Sequence, residues 1–307
     1  MLVTDTNRRS FLALLSTVLA GAATNALAGS TAELPANRNV KWALSTGLWG
    51  NMPGPFGDIL DVMQETGFMG LRLAGAFAGE EKKYGMSVAQ LESEISKRGL
   101  HIVTVSFGSP LADPTKRQAV MDSAREAMKK LTDCGANHLV VFPAGRAKPG
   151  AETPGAFEEM CARCDQIGEL AGEMGFTAGL HNHMGAMVQT PQEVDRFMSL
   201  TNPKLFGLSP DTYHLHMGGS NVVEIFARYK TRIHFMDYKD APNTTSPEGS
   251  QDLGDGAVDF PGCHRVLKSV NYCGWICVDL DWAHKGPLVS YQRCGAYVVN
   301  KLQPIYL

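Results

Sequence analysis

Histidine and aspartate side chains follow the ends of four short apolar segments in this chain. These segments end at His181 and His183, at Asp211, at Asp237 and Lys239, and at Asp279 and Asp281. Imidazole and carboxylate groups are common protein ligands of divalent cations. If the segments are parallel strands of one barrel, their carboxyl ends meet at the same face. The pattern therefore predicts a metal-dependent enzyme.

Side chains alternate along a strand, so the spacing within each segment separates two sets of residues. The residues that share a side are His181 with His183, Asp237 with Lys239, and Asp279 with Asp281. Asn182 lies on the opposite side from the two histidines. His234 has the opposite parity from Asp237, so we do not expect those two residues to bind the same ion.

Short apolar runs alternate with helical patterns along most of the chain. The predicted strands are 41–45, 70–73, 102–106, 138–142, 177–181, 205–208, 232–237 and 275–279. The predicted helices are 56–66, 87–98, 114–134, 153–174, 191–200, 222–229 and 260–270. Eight repeated strand and helix units with no long linker predict a single-domain α/β protein, a (β/α)8 TIM barrel.

The first residues of the chain form a targeting pattern. Arg8 and Arg9 precede an apolar run from Phe11 to Ala23, and small residues near Ala28 suit a cleavage site. The run is too short for a membrane span. We therefore expect a twin-arginine-type signal peptide over 1–28, a linker over 29–39 and the barrel over 40–307, with the mature protein in the periplasm.

Charge and cysteine content exclude some classes of function. The formal net charge of -3 gives no basic surface for nucleic acid or anionic membrane. Seven cysteines with scattered spacing do not form a disulfide framework. Cys161 and Cys164 make a C-x-x-C pair inside a helical pattern, which favours helix packing over a zinc or redox site.

From about Lys41 to Asp281 the chain resembles the sugar phosphate isomerase/epimerase superfamily of xylose isomerase-like TIM barrels. The resemblance is carried by the segments 181–185, 189–194, 208–214, 232–240, 253–260 and 274–281. Segment 208–214 resembles the family's Asp-x-x-His segment, 232–240 its strand ending in His-x-Lys-Asp, and 253–260 the Gly-x-Gly loop that follows. Segments 181–185 and 189–194 are most similar to inosose dehydratase and related enzymes that act on 3-keto sugars.

The family's common metal ligands are Glu, Asp, His and Glu. By position, the resemblance implies His181, Asp211, Asp237 and Asp279 as the ligands of one divalent ion, which could be Mn, Mg, Co or Zn. Both family glutamates are absent here. In the family's epimerases these glutamates move a proton between the two faces of the sugar, so their absence favours dehydration over epimerisation.

The implied reaction passes through an enediolate next to a ketone. We expect His183, or otherwise His214, to remove the proton from carbon. Lys239 polarises the carbonyl or protonates a leaving oxygen, and Asp281 orients Lys239. The expected outcome is dehydratase or lyase chemistry, with an isomerase or epimerase of the same family as the alternative.

A periplasmic location favours an uncharged substrate such as a keto sugar, glycoside or cyclitol. Trp49, Tyr213 and Trp282 lie near strand ends and could stack on a sugar ring, with core packing as the alternative. Arg72 could bind hydroxyls, with an ion pair as the alternative. We expect no nucleic-acid partner and no stable membrane anchor after cleavage, and the sequence leaves a homo-oligomer open.

Two other classes of function remain open at this point. The barrel could bind a sugar in the periplasm without transforming it, because both family glutamates are missing. Endonucleases with the same barrel bind damaged DNA, but they need several metals and a basic groove, which the charge and the export signal oppose.

Overall fold

The computed structural model describes residues 40–148, 153–244, 246 and 248–306. Eight parallel strands form one sheet in the order β6, β5, β4, β3, β2, β1, β8, β7. The strands are β1 (Val40–Ser45), β2 (Gly70–Leu73), β3 (His101–Phe107), β4 (His138–Val141), β5 (Thr177–Leu180), β6 (Gly207–Leu208), β7 (Met236–Tyr238) and β8 (Gly274–Val278).

Two single bridges connect the strands at the ends of this order. Leu208 pairs with Ile233, and Asp211 pairs with Asp237, both in parallel. The sheet therefore forms a nearly closed barrel, and the predicted single-domain (β/α)8 fold is confirmed. The second bridge also places two of the predicted metal ligands on neighbouring backbone segments.

Helices cover the outside of the barrel between successive strands. They are α1 (Leu48–Asn51), α2 (Phe56–Thr66), α3 (Phe77–Tyr84), α4 (Val88–Ser96), α5 (Arg117–Asp133), α6 (Ala156–Glu173), α7 (Pro191–Leu200), α8 (Thr212–Met217), α9 (Val222–Tyr229), α10 (Phe260–Ser269), α11 (Pro287–Tyr297) and α12 (Gln303–Tyr306). Helix α7 begins with a capping box, in which the Thr190 side chain accepts from the Glu193 N–H and the Glu193 carboxylate accepts from the Thr190 N–H.

The seventh strand is shorter than predicted. We expected it over 232–237, but residues Lys230–Arg232 form a 3-10 turn and the strand begins at Met236. The Arg232 guanidinium donates to the Phe206 and Met198 carbonyl oxygens, which holds this segment against the preceding loop. The short helices α1, α3 and α8 and the C-terminal helices α11 and α12 were not among the predicted helices.

Two apolar clusters follow the alternation of side chains along the strands. Val40, Trp42 and Leu44 of β1 pack in the large cluster together with residues of the covering helices. Ala43 lies in a small second cluster with Val103, Val140, Phe235 and Cys277. Cys161 and Cys164 are buried in the large cluster as free thiols, which confirms the packing interpretation.

The predicted signal peptide (1–28) and linker (29–39) lie outside the residues that the structure describes. Across the described ranges, every helix is too short or too polar to cross a membrane. The barrel and its helices from Val40 onward belong to one compact unit.

Candidate active site

Asp211 connects the end of β6 to the start of α8. One carboxylate oxygen, Oδ1, caps the helix by accepting from the His214 N–H at 3.0 Å. The Asn182 side-chain amide bonds to both backbone groups of Asp211. Asn182 Oδ1 accepts from the Asp211 N–H at 3.0 Å, and Asn182 Nδ2 donates to the Asp211 carbonyl oxygen at 3.3 Å. The second oxygen, Oδ2, is therefore left facing the barrel centre in a fixed position.

Two imidazoles lie beside this free oxygen. His181 Nε2 is 4.0 Å and His214 Nε2 is 3.8 Å from Asp211 Oδ2. All three residues are buried, and one ligand atom from each lies within 4.8 Å of the others. Within the described part of the chain, Asp211 Oδ2 and His214 Nε2 form no hydrogen bond. Buried polar atoms are rarely left in this state unless another group satisfies them.

Asp237 approaches the other edge of the His181 ring. Its Oδ2 is 3.1 Å from His181 Nδ1, but the angle does not form a hydrogen bond and Nδ1 is otherwise unpaired among the described residues. Asp237 therefore faces the opposite ring nitrogen of His181 from the one that faces Asp211.

Arg72 forms the floor of the site. Its Nε is 3.5 Å from Asp237 Oδ1 and its Nη1 is 3.9 Å from Asp279 Oδ2. The same guanidinium donates to Ser45 Oγ at 3.3 Å and to Ser106 Oγ at 2.9 Å. Arg72 is therefore buried in contact with two carboxylates and two hydroxyls, whereas we expected it to bind substrate hydroxyls or to form a surface ion pair.

Lys239 provides a second buried cation. Its Nζ is 2.7 Å from Asp281 Oδ2, 3.1 Å from Asp279 Oδ2 and 3.7 Å from Asp211 Oδ2. Burial alone would lower the pKa of Lys239, but the neighbouring carboxylates, Asp279 first, raise it above its ordinary value. Lys239 therefore stays protonated and acts as a fixed positive charge.

The charges at this end of the barrel do not cancel. Four carboxylates (Asp211, Asp237, Asp279 and Asp281) face two cations (Arg72 and Lys239), which leaves two negative charges when all are ionised. Burial raises the pKa of Asp211 to about 7 and that of Asp237 to about 6. A divalent cation would neutralise the remaining charge, so these residues fit the metal that the family resemblance implies.

His183 is placed to move a proton. Its Nδ1 lies 2.7 Å from the Met184 carbonyl oxygen, and because a carbonyl only accepts, Nδ1 carries the hydrogen and Nε2 keeps its lone pair. The ring lies 4.9 Å from the Phe142 ring and 3.8 Å from the His214 ring, centre to centre. The His183 side chain is half-buried.

The three histidines of the site are neutral near pH 7. Burial, followed by the positive charge of Arg72, lowers the pKa of His181 to about 3. Burial also lowers the pKa of His183 and His214 below the ordinary value. Neutral imidazoles can bind a cation or accept a proton, which is what the predicted roles require.

The three predicted stacking residues have different surroundings. Trp282 follows β8 and is 44% exposed, and the half-buried ring of Tyr213 lies 5.5 Å from Lys239 Nζ. Trp49 instead belongs to α1, is 2% exposed and stacks on Tyr291 at 5.9 Å. Because Trp49 is covered by the core, it offers no face to a sugar ring.

A cavity of about 800 Å³ opens beside the barrel mouth, between the loops that follow β3, β4 and β5. None of the predicted site residues lines it. Four of its charged side chains form two ion pairs, Arg146 with Glu193 and Arg196 with Glu158. This cavity is therefore separate from the predicted site residues.

A family model described as xylose isomerase-like TIM barrel matches residues 60–293. The chain belongs to this family. The match covers most of the barrel, including every predicted site residue except Trp49. The xylose isomerase-like barrels thus include a chain in which the four implied ligands are His, Asp, Asp and Asp.

Curated relatives of this xylose isomerase-like barrel are named inosose dehydratase. The protein of Clostridium botulinum (strain Alaska E43) is 30% identical over 243 residues, which is 69% of this chain and 80% of that protein. The protein of Clostridium beijerinckii is 32% identical over 262 residues, 75% of this chain and 87% of that protein.

Solved structures confirm the architecture. The probable 3-DHS dehydratase AsbF of Bacillus anthracis has a TM-score of 0.69 at 15% identity and covers 85% of this chain and 99% of its own. The IOLI protein with a bound zinc atom has a TM-score of 0.69 at 16% identity, with coverage of 85% and 99%. At these identities the likeness shows the fold alone.

Four residues of the site were not predicted from the sequence as functional. Ser45 and Ser106 hold Arg72, Asn182 holds Asp211, and Thr212 holds the Lys239 backbone by accepting from its N–H at 2.9 Å and donating to its carbonyl at 2.8 Å. Three of these residues stand at a strand end or just past it. Small polar residues at the carboxyl ends of the strands were therefore the available signal.

Proposed function

We propose that this protein is a divalent-metal-dependent lyase that removes water from a keto sugar or cyclitol through an enediolate. The observation that carries the proposal is the buried group of His181, Asp211 and His214 next to the proton carrier His183 and the fixed cation Lys239. The relatives named inosose dehydratase support the same class of substrate and reaction.

His181 and Asp211 are the central ligands of the proposed ion. His214 Nε2 lies 3.8 Å from Asp211 Oδ2 and supplies a third ligand atom beside His181 Nε2. Asp237 Oδ2 lies 3.1 Å from the other ring nitrogen, His181 Nδ1, where it orients the ring. Asp279, which the family resemblance also implies, is engaged by Lys239 and Arg72. A bound divalent cation supplies positive charge that stabilises the enediolate and makes the adjacent carbon acid stronger.

His183 Nε2 takes the proton from the carbon next to the ketone. Burial keeps the ring neutral, and the Met184 carbonyl fixes Nδ1–H, so Nε2 is the basic nitrogen. The electron pair left on carbon forms the enediolate. When the β-carbon to oxygen bond breaks, the imidazolium returns its proton to the departing hydroxide, so one water leaves and the ring is neutral again.

Lys239 stabilises negative charge on the substrate oxygen. Its carboxylate neighbours keep it protonated, so it polarises the carbonyl and does not donate its proton. Asp281, with a half-exposed side chain 2.7 Å from Nζ, orients the ammonium toward the mouth. Of the two roles expected for Lys239 from the sequence, the contacts favour carbonyl polarisation.

An uncharged ring substrate suits the residues at the mouth. Trp282 and Tyr213 present partly exposed rings on the same rim as Asp281, where the hydroxyl groups and the apolar face of a sugar or cyclitol can be bound together. Export to the periplasm, where sugar phosphates are rare, remains part of the proposal.

The test is incubation of the metal-loaded protein with inosose in deuterated water, followed by mass spectrometry and NMR. Loss of one water together with exchange of the carbon-bound proton is the expected result. Exchange without loss of water would favour the isomerase or epimerase alternative. Binding without either change would contradict catalysis and favour a sugar-binding protein.

A further inference from the structure

Asp240 follows Lys239 directly, and its carboxylate bonds to the loop after β7 and not to the residues at the barrel centre. Its buried carboxylate accepts four backbone hydrogen bonds, from Ala241 at 2.9 Å, Gly254 at 2.8 Å, Gly256 at 3.0 Å and Val258 at 3.0 Å. A single carboxylate thereby holds both ends of the loop that leads to α10.

This arrangement explains the Gly-x-Gly pattern that follows β7. A Cβ atom on Gly256 would overlap the Ala241 carbonyl oxygen and the Asp240 carboxylate. Gly254 has a φ of +88°, and a Cβ there would overlap the Tyr297 ring. Both glycines are therefore required for the loop to close around Asp240.

The held loop presents Ser250 to the end of β8. The backbone of Asp240 accepts from the Gln251 N–H at 3.1 Å, which fixes the position of Ser250 next to it. The buried Ser250 Oγ accepts from the Asp281 N–H at 2.8 Å and from the Trp282 N–H at 3.1 Å. One hydroxyl thus supports the backbone of both residues.

We infer that Ser250, held by the Asp240 loop, is the positioning residue for Asp281 and Trp282 at the mouth of the site. This role rests on the proposed function, in which Asp281 orients Lys239 and Trp282 stacks on the ring of the substrate. The Asp240 loop and the rim are connected a second time through Lys239, which precedes Asp240 in the chain and whose ammonium lies 2.7 Å from the Asp281 carboxylate. A shift of the loop would therefore move the rim relative to the fixed cation.

The experiment compares Ser250→Ala with Ser250→Thr, which keeps the hydroxyl, and with Ser246→Ala. Ser246 is the matched control, since its hydroxyl donates within the same loop to the Asp255 carbonyl at 3.0 Å and does not contact the rim. Hydrogen exchange of the Asp281 and Trp282 amides, which needs no substrate, is expected to accelerate at least about tenfold in Ser250→Ala only.

The second readout is the KM for inosose. We expect Ser250→Ala to raise KM about tenfold and Ser250→Thr to have a KM close to that of the wild type. In a Trp282→Ala background, Ser250→Ala should raise KM little further, because both changes remove the same contact. Metal content should not change. If the wild type shows no turnover, the same comparison is made with the Kd of inosose.

Unchanged amide exchange in Ser250→Ala would overturn the inference. Faster exchange with an unchanged KM would also overturn it, because the role of Ser250 would then be purely structural. The same conclusion follows if the effects of Ser250→Ala and Trp282→Ala on KM add in full. A wild type that neither binds nor converts inosose would remove the proposed function and the positioning role with it, whereas the exchange result would still report whether Ser250 holds the rim.

Discussion

The ammonium of Lys239 donates a hydrogen bond to Asp279 Oδ2 at 3.1 Å, and both side chains are buried. Removal of the Lys239 ammonium adds to the excess of negative charge in this buried site. We expect Lys239→Met to lower the free energy of unfolding by about 3–5 kcal/mol. Urea unfolding of the metal-free protein measures this change.

The matched variants are Asp279→Leu and the double variant. Lys239→Met leaves the Asp279 carboxylate without its ammonium partner, whereas the double change removes both groups, so the double variant should lose less stability than the sum of the two single losses. Additive losses would contradict the direct pairing of these two groups.

His183→Gln tests the proton carrier. Gln cannot take a proton from carbon, so we expect kcat to fall by about 10²–10⁴-fold, with deuterium exchange lost to the same degree and metal content unchanged. His101→Gln is the control, since His101 is an exposed histidine at the opposite end of the barrel, at the start of β3. Retained exchange in His183→Gln would assign the base to another residue, with His214 next.

The two tryptophans near the strand ends should behave differently on truncation. Trp282→Ala removes an exposed ring, so we expect a higher KM and a change in stability of about 0.5 kcal/mol or less. Trp49→Ala opens a hole in the core beside Tyr291 and should cost about 3–5 kcal/mol. Thermal unfolding and KM, measured on both variants, separate the two roles. A raised KM in Trp49→Ala without a loss of stability would contradict the core assignment.

Export is tested on the arginine pair of the predicted signal peptide. Replacement of Arg8 and Arg9 by lysine keeps the charge but removes the twin-arginine pattern, so we expect the protein to remain in the cytoplasm in its uncleaved form. Cell fractionation and the N-terminal sequence of the mature protein give the result. Cleavage near Ala28 and periplasmic location of the variant would contradict the twin-arginine route.

The sequence was sufficient to predict the barrel and to predict that the candidate site residues meet at one end of it. Alternation along a strand is a local property, and it correctly placed Lys239 on the same side as Asp237. The predicted boundaries of α2, α7 and α9 are also those of the structure, so the local sequence pattern was sufficient for these three helices.

The contacts of individual side chains could not be predicted in the same way. Arg72 was expected at the surface or at the substrate, because its partners Ser45, Ser106 and Asp237 are distant in sequence and meet only when the barrel closes. For Trp49 the sequence left sugar stacking and core packing open, since nothing local shows that Tyr291 covers it. The proposed ligand role of His214 likewise depends on the short helix α8, which begins only because Asp211 caps it.

Metal content by mass spectrometry tests the central claim most directly, with the wild type compared with His181→Ala, Asp211→Asn and the rim control Asp281→Asn. We predict about one divalent ion per chain in the wild type and in Asp281→Asn, and its loss in the other two variants, because His181 and Asp211 are the central ligands. A wild type without metal, or metal retained in both His181→Ala and Asp211→Asn, would contradict the proposed site.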